Sequence, residues 1–463
     1  MQPRKSSLIA LVTWTVITLI LLASILFIAL RWGQVGFELF IQEGIYTHLP
    51  TTLASVAITW LLAGTLVYLI YRGGLTASNL FTWVGFFLVA FLYLNVLRER
   101  FRFGDISYYT EAATNLYNHE PLPHFYFYMP FWATLLEFLV PLGEEAILLV
   151  AWILNFLSTL AFYFLLHKVL ERYGFSSRLA AVVTTAFMLV NTPILRSLVY
   201  VQVNLHVMNA VLLSLLLYRR SPFFSALFMA LAVQLKTSPA VLVLAFLLER
   251  DWRWLAWFAL GNLLLASLTL FADGISPFLE VLQNVTRLAS GRTAVFHDNS
   301  FDSFFGFPSQ VFAISSTLVR VLVYTAKGLL AIAVVVLLLR QIRSQTFLQG
   351  TTRGTAMLNA VPALFILMTM AAPVVWVHHG VFLTLAFLLL LKKVDSAAGW
   401  YLFGLAYLLQ YILPTFDFYP WSYGRLAAPL ICLWLMWRFS RPAAPSAGFQ
   451  RLDRWLDALR VQA

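Results

Sequence analysis

The chain has 463 residues, of which 61% are hydrophobic and only 11% charged, and it carries a formal net charge of +11. This composition excludes both a disordered chain and a water-soluble globule. The basic residues are dispersed in pairs between apolar runs instead of gathering on one face, so they argue for membrane topology and against nucleic acid as a partner. The single cysteine, Cys432, excludes an intramolecular disulfide.

Apolar stretches recur from residue 8 to residue 438, many of them near the roughly 17 to 25 residues needed to cross about 30 Å of hydrocarbon. They predict an all-α polytopic membrane protein with about 12–14 transmembrane helices. The run after Arg4 and Lys5 continues to about residue 30 without a cleavage pattern and is read as a retained first helix. Short basic loops hold Arg72, Lys168 with Arg172 and Arg178, Arg219 with Arg220, Arg250 with Arg253, Arg340 with Arg343 and Arg353, Lys392 with Lys393, and Arg438 with Arg441. Positive loops stay in the cytoplasm. Both termini then lie inside the plasma membrane, and the large loops near 97–143 and 272–312 lie outside it. This division gives one membrane domain, 1–440, and a tail, 441–463. In the tail Phe449, Leu452, Trp455, Leu456 and Leu459 repeat at helical spacing among arginines, as in a helix on the inner leaflet.

Along the outer side, Arg98, Arg100 and Arg102 come first and violate the positive-inside rule, so either they hold an anionic head group or the first hairpin is oriented otherwise. Next comes Gly104-Asp105, followed by Tyr108 and Tyr109, then Tyr126-Phe127-Tyr128-Met129-Pro130 at the start of an apolar stretch. Asp105 has two readings, a catalytic carboxylate or an N-cap for the helix that follows. Gln202 and Asn204 suit sugar hydroxyls or a bridge between helices. Lys236, in Gln234-Leu235-Lys236-Thr237-Ser238-Pro239, sits between two apolar runs, where a lysine costs roughly 2.5–3.5 kcal/mol unless it reaches water or an anion.

The loop 272–312 is polar, with Arg292, His297, Asp298, Asn299 and Asp302, and its phenylalanines suggest docking over the substrate. Asp298 and Asp302 are the residues that would join Asp105 around a divalent ion, but no ligand spacing calls for a metal and none is assigned. Asn284-Val285-Thr286 fits a glycosylation tripeptide. Farther on, Ala372-Pro373-Val374-Val375-Trp376-Val377-His378-His379 places two imidazoles about 100° apart on a helix, so one of them faces the cavity. Arg425 closes the last outer loop, whose aromatic residues suit either a sugar face or the membrane interface.

Three of these elements together resemble the GT-C superfold of polyprenyl-phosphate-sugar-dependent glycosyltransferases, most closely the bacterial mannosyltransferases of glycosyltransferase family 87. They are Asp105 with its tyrosines and Tyr128-Met129-Pro130, the Lys236-Thr237-Ser238-Pro239 element, and the Pro373 to His379 segment. The likeness covers roughly residues 80–430. Ala372 and Val375 stand where the family has serines, and Val377 where an acid is common.

The resemblance implies a GT-C helical bundle with a cavity roofed by the first and fifth outer loops. It also implies transfer of a hexose, mannose by likeness, from a polyprenyl phosphate to a hydroxyl of a glycolipid or glycan, with inversion. Asp105 is then the base, and Lys236 with His378 or His379 holds the donor phosphate. Tyr108, Tyr109, Tyr128, Gln202, Asn204, Arg292, His297, Asn299, Trp376 and Arg425 contact substrate, and Arg98, Arg100 and Arg102 hold the acceptor head group. The rival readings are a lipid or glycolipid transporter and a glycan polymerase or ligase using a lipid diphosphate.

Overall fold

In the computed structural model the described residues are 11–20, 22–23, 49–71, 79–100, 105–290, 299–311, 315–343, 353–413, 423–439 and 446–458. Among them the protein is helical and contains no strand, as a lipid solvent requires, since a helix satisfies its own backbone groups. The first half runs α1 (Leu49–Tyr71), α2 (Leu80–Arg100), α3 (Ile106–Tyr117), α4 (Phe131–Glu137), α5 (Glu144–Arg172), α6 (Ser177–Leu189), α7 (Thr192–Val199), α8 (Asn204–Leu217), α9 (Pro222–Leu235) and α10 (Val243–Leu248). The second half runs α11 (Trp252–Ala272), α12 (Ser276–Ser290), α13 (Phe301–Val311), α14 (Ser316–Arg343), α15 (Arg353–Met370), α16 (Thr384–Leu390), α17 (Ala397–Tyr407), α18 (Gly424–Arg438) and α19 (Ala447–Ala458).

The chain is an all-α polytopic membrane protein, but its apolar stretches are divided more often than uninterrupted spans would be. Among the described residues four helical segments, Leu80–Leu97, Glu144–Arg172, Trp252–Ala272 and Ser316–Arg340, are long and apolar enough to cross a bilayer alone. A fifth crossing arises if α6 and α7, bent by 59° at Asn191, form one span. The reason is local chemistry. Asn191 accepts from the Ile194 amide at 2.9 Å and starts a new helix there, with Pro193 in its first turn. Lys236 and Pro239 likewise interrupt the run from α9 toward α10, with a short 3₁₀ turn, Ser238–Leu242, between them. Polar backbone exposed by such breaks is tolerated in a membrane protein only where protein or an aqueous cavity surrounds it. The interruptions therefore mark where a site can form.

The elements around α12 fasten to one another. On α12, Glu280 accepts from the Leu122 amide at 2.7 Å, and the buried Asn284 amide donates to the carbonyls of Pro123 and Tyr126. The Asn284 nitrogen is enclosed and committed to pinning the loop that carries Tyr126 and Tyr128, in line with the little weight the tripeptide carries. At the other end of the molecule, α19 turns Phe449 and Leu456 inward against α6, with Phe449 edge-on to Phe175 and Asp453 bonded to Ser176. Leu452 and Trp455 remain exposed on its other flank.

The second large loop also differs from a simple roof, because residues 301–311 form α13 and pack along α14. Asp302, at the start of α13, pairs with Lys327 at 2.5 Å. Lys327 lies roughly 16 Å from the start of its apolar helix, where an ammonium with no counter-ion is costly. Asp302 is thus engaged with α14 and does not join Asp105. Asp302→Asn is expected to destabilise the fold by about 2–3 kcal/mol, read as thermal unfolding in detergent. Adding Lys327→Met to that variant should restore most of the loss; an undiminished loss in the double variant would contradict the pairing.

Candidate active site

Polar residues of α3, the segment before α4, the α7–α8 turn, the end of α9 and the 377–383 segment gather around Lys236. Asp105 occupies the N-cap position of α3, with φ −64° and ψ −12°, yet its side chain makes no capping bond. The carboxylate instead lies beside the Tyr128 hydroxyl, whose single proton is shared between it and Gln202, and feels the Lys236 charge. Of its two sequence readings, the cap is therefore not the one its side chain adopts. Pro130 begins α4, and Tyr128 two residues earlier is set by that start and by the α12 clamp. The Tyr109 ring meets Tyr128 edge-on at 5.1 Å, and both tyrosines point their hydroxyls at Gln202 Oε1, at 3.3 and 3.5 Å. Tyr108, by contrast, is exposed on the other side of α3.

Gln202 is aimed by an unusual turn. The Gln202 amide bonds Ser197 O at 2.8 Å and the Val201 amide bonds Leu198 O at 3.1 Å, which is the paired pattern that ends a helix on a left-handed residue. Glycine normally fills that position, and Gly174 does so after α5. After α7 the residue is Val201, at φ +52°, a conformation that β-branched side chains rarely adopt. Strain of this kind persists only where the surroundings hold it, and it concentrates at functional sites.

Lys236 ends α9 in extended backbone and projects into the same space. Its Nζ donates to Asn204 Oδ1 at 3.0 Å and lies 2.8 Å from His379 Nε2, with the rings of Tyr128 and Phe382 at 5.7 and 5.4 Å from the amine. His379 Nδ1 accepts the Trp376 backbone N–H at 2.9 Å. The proton of a neutral ring therefore belongs on Nε2. An Nε2–H and an ammonium cannot bond each other, so the 2.8 Å contact has the imidazole N–H donating to an uncharged lysine amine, and both groups can act as donors together only toward an acceptor that enters between them. His378 takes a different part. Its ring turns edge-on to Tyr200 at 6.1 Å, and its carbonyl accepts from Ser197 and Asn204. Of the two histidines, His379 is the one joined to Lys236.

Burial raises the Asp105 carboxyl from the ordinary aspartate range to about 6, with the Lys236 charge and the Tyr128 bond pulling it back down. The remaining sequence candidates divide into two groups. Asn299, Trp376 and Arg425 gather around a hollow against Gly380 and Leu383 of the 377–383 segment. Arg102, Arg292 and His297, and the side chains of Arg98 and Arg100, lie outside the described residues. Two contributors escaped the sequence reading. Ser197 carries no signal of its own, but Gln410 is a lone amide within an apolar run, which is itself a marker of a functional position in a membrane helix. No group of three or more metal-ligating side chains occurs among the described residues.

A carboxylate, an amine and an imidazole are thus collected at broken helices of an all-α membrane bundle. The model of glycosyltransferase family 87 matches residues 126–373, more than half of the chain, and the chain belongs to that family. No curated protein and no solved structure matches it significantly. The matched segment contains Tyr128 and Lys236, while Asp105 precedes it and His379 follows it. The fold brings those two residues to the matched ones.

The Asp105 carboxyl band in infrared difference spectra, isolated by subtraction of Asp105→Asn, should titrate with a midpoint near pH 6. Because Lys236 favours the charged carboxylate, Lys236→Met should move that midpoint upward; a downward or absent movement would show that the two groups do not interact.

Proposed function

We propose that the protein transfers a hexose, most simply mannose, from a polyprenyl-phosphate donor to a hydroxyl of a glycolipid or glycan, on the extracytoplasmic face of the plasma membrane. Membership of family 87 supports glycosyl transfer. The observation that carries the finer reading is the convergence of Lys236 Nζ and His379 Nε2, 2.8 Å apart, beside a carboxylate bonded to Tyr128. A sugar on a polyprenyl phosphate already has a good leaving group, so the phosphate needs donors and charge more than it needs a general acid.

In this reading the acceptor oxygen attacks the anomeric carbon as Asp105 takes its proton, and the bond from that carbon to the phosphate oxygen breaks. The electron pair leaves on the phosphate, held by Lys236 and His379. One displacement inverts the anomeric centre, so a β-linked donor gives an α-glycoside. Gln202 fixes Tyr109 and Tyr128, and Tyr128 fixes the base. Asn204 orients Lys236 from one side, while the Trp376 amide sets the tautomer of His379. Both termini lie in the cytoplasm in this account, as the distribution of basic loops requires. The arginines at 98, 100 and 102 are assigned to the head group of an anionic acceptor.

Purified protein in detergent, given radiolabelled polyprenyl-phosphate mannose and mixed lipids, should release polyprenyl phosphate and a labelled product. Movement of intact lipid without bond cleavage would favour a transporter instead. Asp105→Asn should bind donor as the wild type does and lose turnover by about 10²–10⁴-fold, and wild-type turnover should fall as pH drops through about 6. His379→Ala should weaken donor binding. Unchanged turnover in Asp105→Asn would remove that residue as the base.

A further inference from the structure

Against Gly380 and Leu383 of the 377–383 segment lies a small hollow with Asn299, Trp376, Gln410 and Arg425 in its wall. Asn299 is 3% exposed and Gln410 2% exposed. Among the described residues nothing bonds to either polar atom of the Asn299 amide or to Gln410 Oε1. Leaving such groups buried without partners is costly, and native proteins do so where a ligand or ordered water completes them. The hollow is built deliberately. Asn299 is anchored by its backbone amide, which donates to Val375 O at 2.6 Å. Gly380 is required beside Gln410, because a methyl group there would collide with Gln410 Nε2 and with Pro193. Gln410 itself lies in a π-helical turn, Leu408–Ile412, a conformation frequent at functional sites. Arg425 donates to the carbonyls of Gln410 and Leu413 and so holds that turn in place.

The donor set identifies the ligand chemistry. Each primary amide offers a carbonyl acceptor and an NH2 donor, and the Arg425 guanidinium in the same wall is turned to the Gln410 and Leu413 carbonyls. A hydroxyl group is both donor and acceptor, and it matches a primary amide at each. The hollow has room for about one water-sized group, so one hydroxyl fits and a whole sugar ring does not. Its position selects the source. Trp376, partly exposed at the rim, passes its backbone N–H to His379, the residue assigned above to the donor phosphate. The sugar attached to that phosphate is the nearest bearer of hydroxyls.

We propose that the hollow walled by Asn299, Gln410 and Trp376 receives one hydroxyl of the donor sugar and thereby selects among hexoses. The assignment rests on the polyprenyl-phosphate-sugar reading of the site. Selection by such a pocket is strong because an analogue lacking the hydroxyl leaves the amides unpaired.

The test measures binding of a short-chain polyprenyl-phosphate mannose and of its set of monodeoxy analogues to Asp105→Asn protein, which cannot consume them. One analogue should bind more weakly than the parent by roughly tenfold to a hundredfold. Gln410→Met should erase that difference while the other analogues keep their ratios, and should leave thermal stability equal or higher, since it removes an unpaired buried amide. Should Gln410→Met fail to fold, Asn299→Ser is to give the same loss of discrimination. Equal binding of all analogues by the parent protein would overturn the hydroxyl assignment and leave the donor reading standing. So would a variant that keeps the original discrimination, or one that loses affinity uniformly for every analogue. Absence of binding to the parent donor itself would overturn the donor reading and the hydroxyl assignment together.

Discussion

A lysine that ends one short apolar helix and faces an imidazole on another cannot be placed cheaply in a membrane bundle, and much of the architecture near the site follows from accommodating it. Lys236 is offered one neutral oxygen from Asn204, two aromatic faces and a histidine whose other nitrogen is already committed to a backbone amide. The acid that interacts with it is Asp105, at the start of α3. Breaking the helix at Lys236 is what lets the amine leave the helix axis and reach this space. An unbroken helix would have directed it along its own surface.

The same economy recurs around the site. Gln202 is brought under the two tyrosines by a left-handed valine, and Tyr128 is held by the start of α4 on one side and by Asn284 of α12 on the other. Each functional side chain is thus oriented by a backbone feature at an element's end: an N-cap, a Schellman turn, a 3₁₀ segment or a π turn. The long helices supply the frame. The short and interrupted ones, α7, α9 and the 377–383 turn, supply the groups.

Much of this was legible in the residues and some was not. Composition and apolar periodicity led to an all-helical membrane protein, and the Tyr128-Met129-Pro130 and Lys236 elements led to family 87, whose model covers both. Adjacent imidazoles were read as diverging, and in the structure only His379 meets Lys236. Among the described residues four helices are long enough to cross alone, and Asn191 and Lys236 end helices where the sequence already placed a loop and a turn. The tripeptide at Asn284 carried no weight in the sequence, because three residues say nothing of burial. Gln410 was passed over although a lone amide in an apolar run is informative. The strain at Val201 has no sequence signature, since valine there contradicts the rule that would have located the turn. Contacts such as Lys236 with His379 span 143 positions and belong to the tertiary fold alone.

The central claim is that the convergent donors of Lys236 and His379 hold the phosphate of a lipid carrier. Solid-state magnetic resonance on protein labelled with ¹⁵N at lysine and histidine, with polyprenyl phosphate bound, measures this without reference to turnover. Dipolar coupling of the phosphorus to both the Lys236 amine and the His379 ring nitrogen, lost in Lys236→Met and His379→Ala respectively, is the expected result. A bound carrier whose phosphorus couples to neither nitrogen would contradict the account.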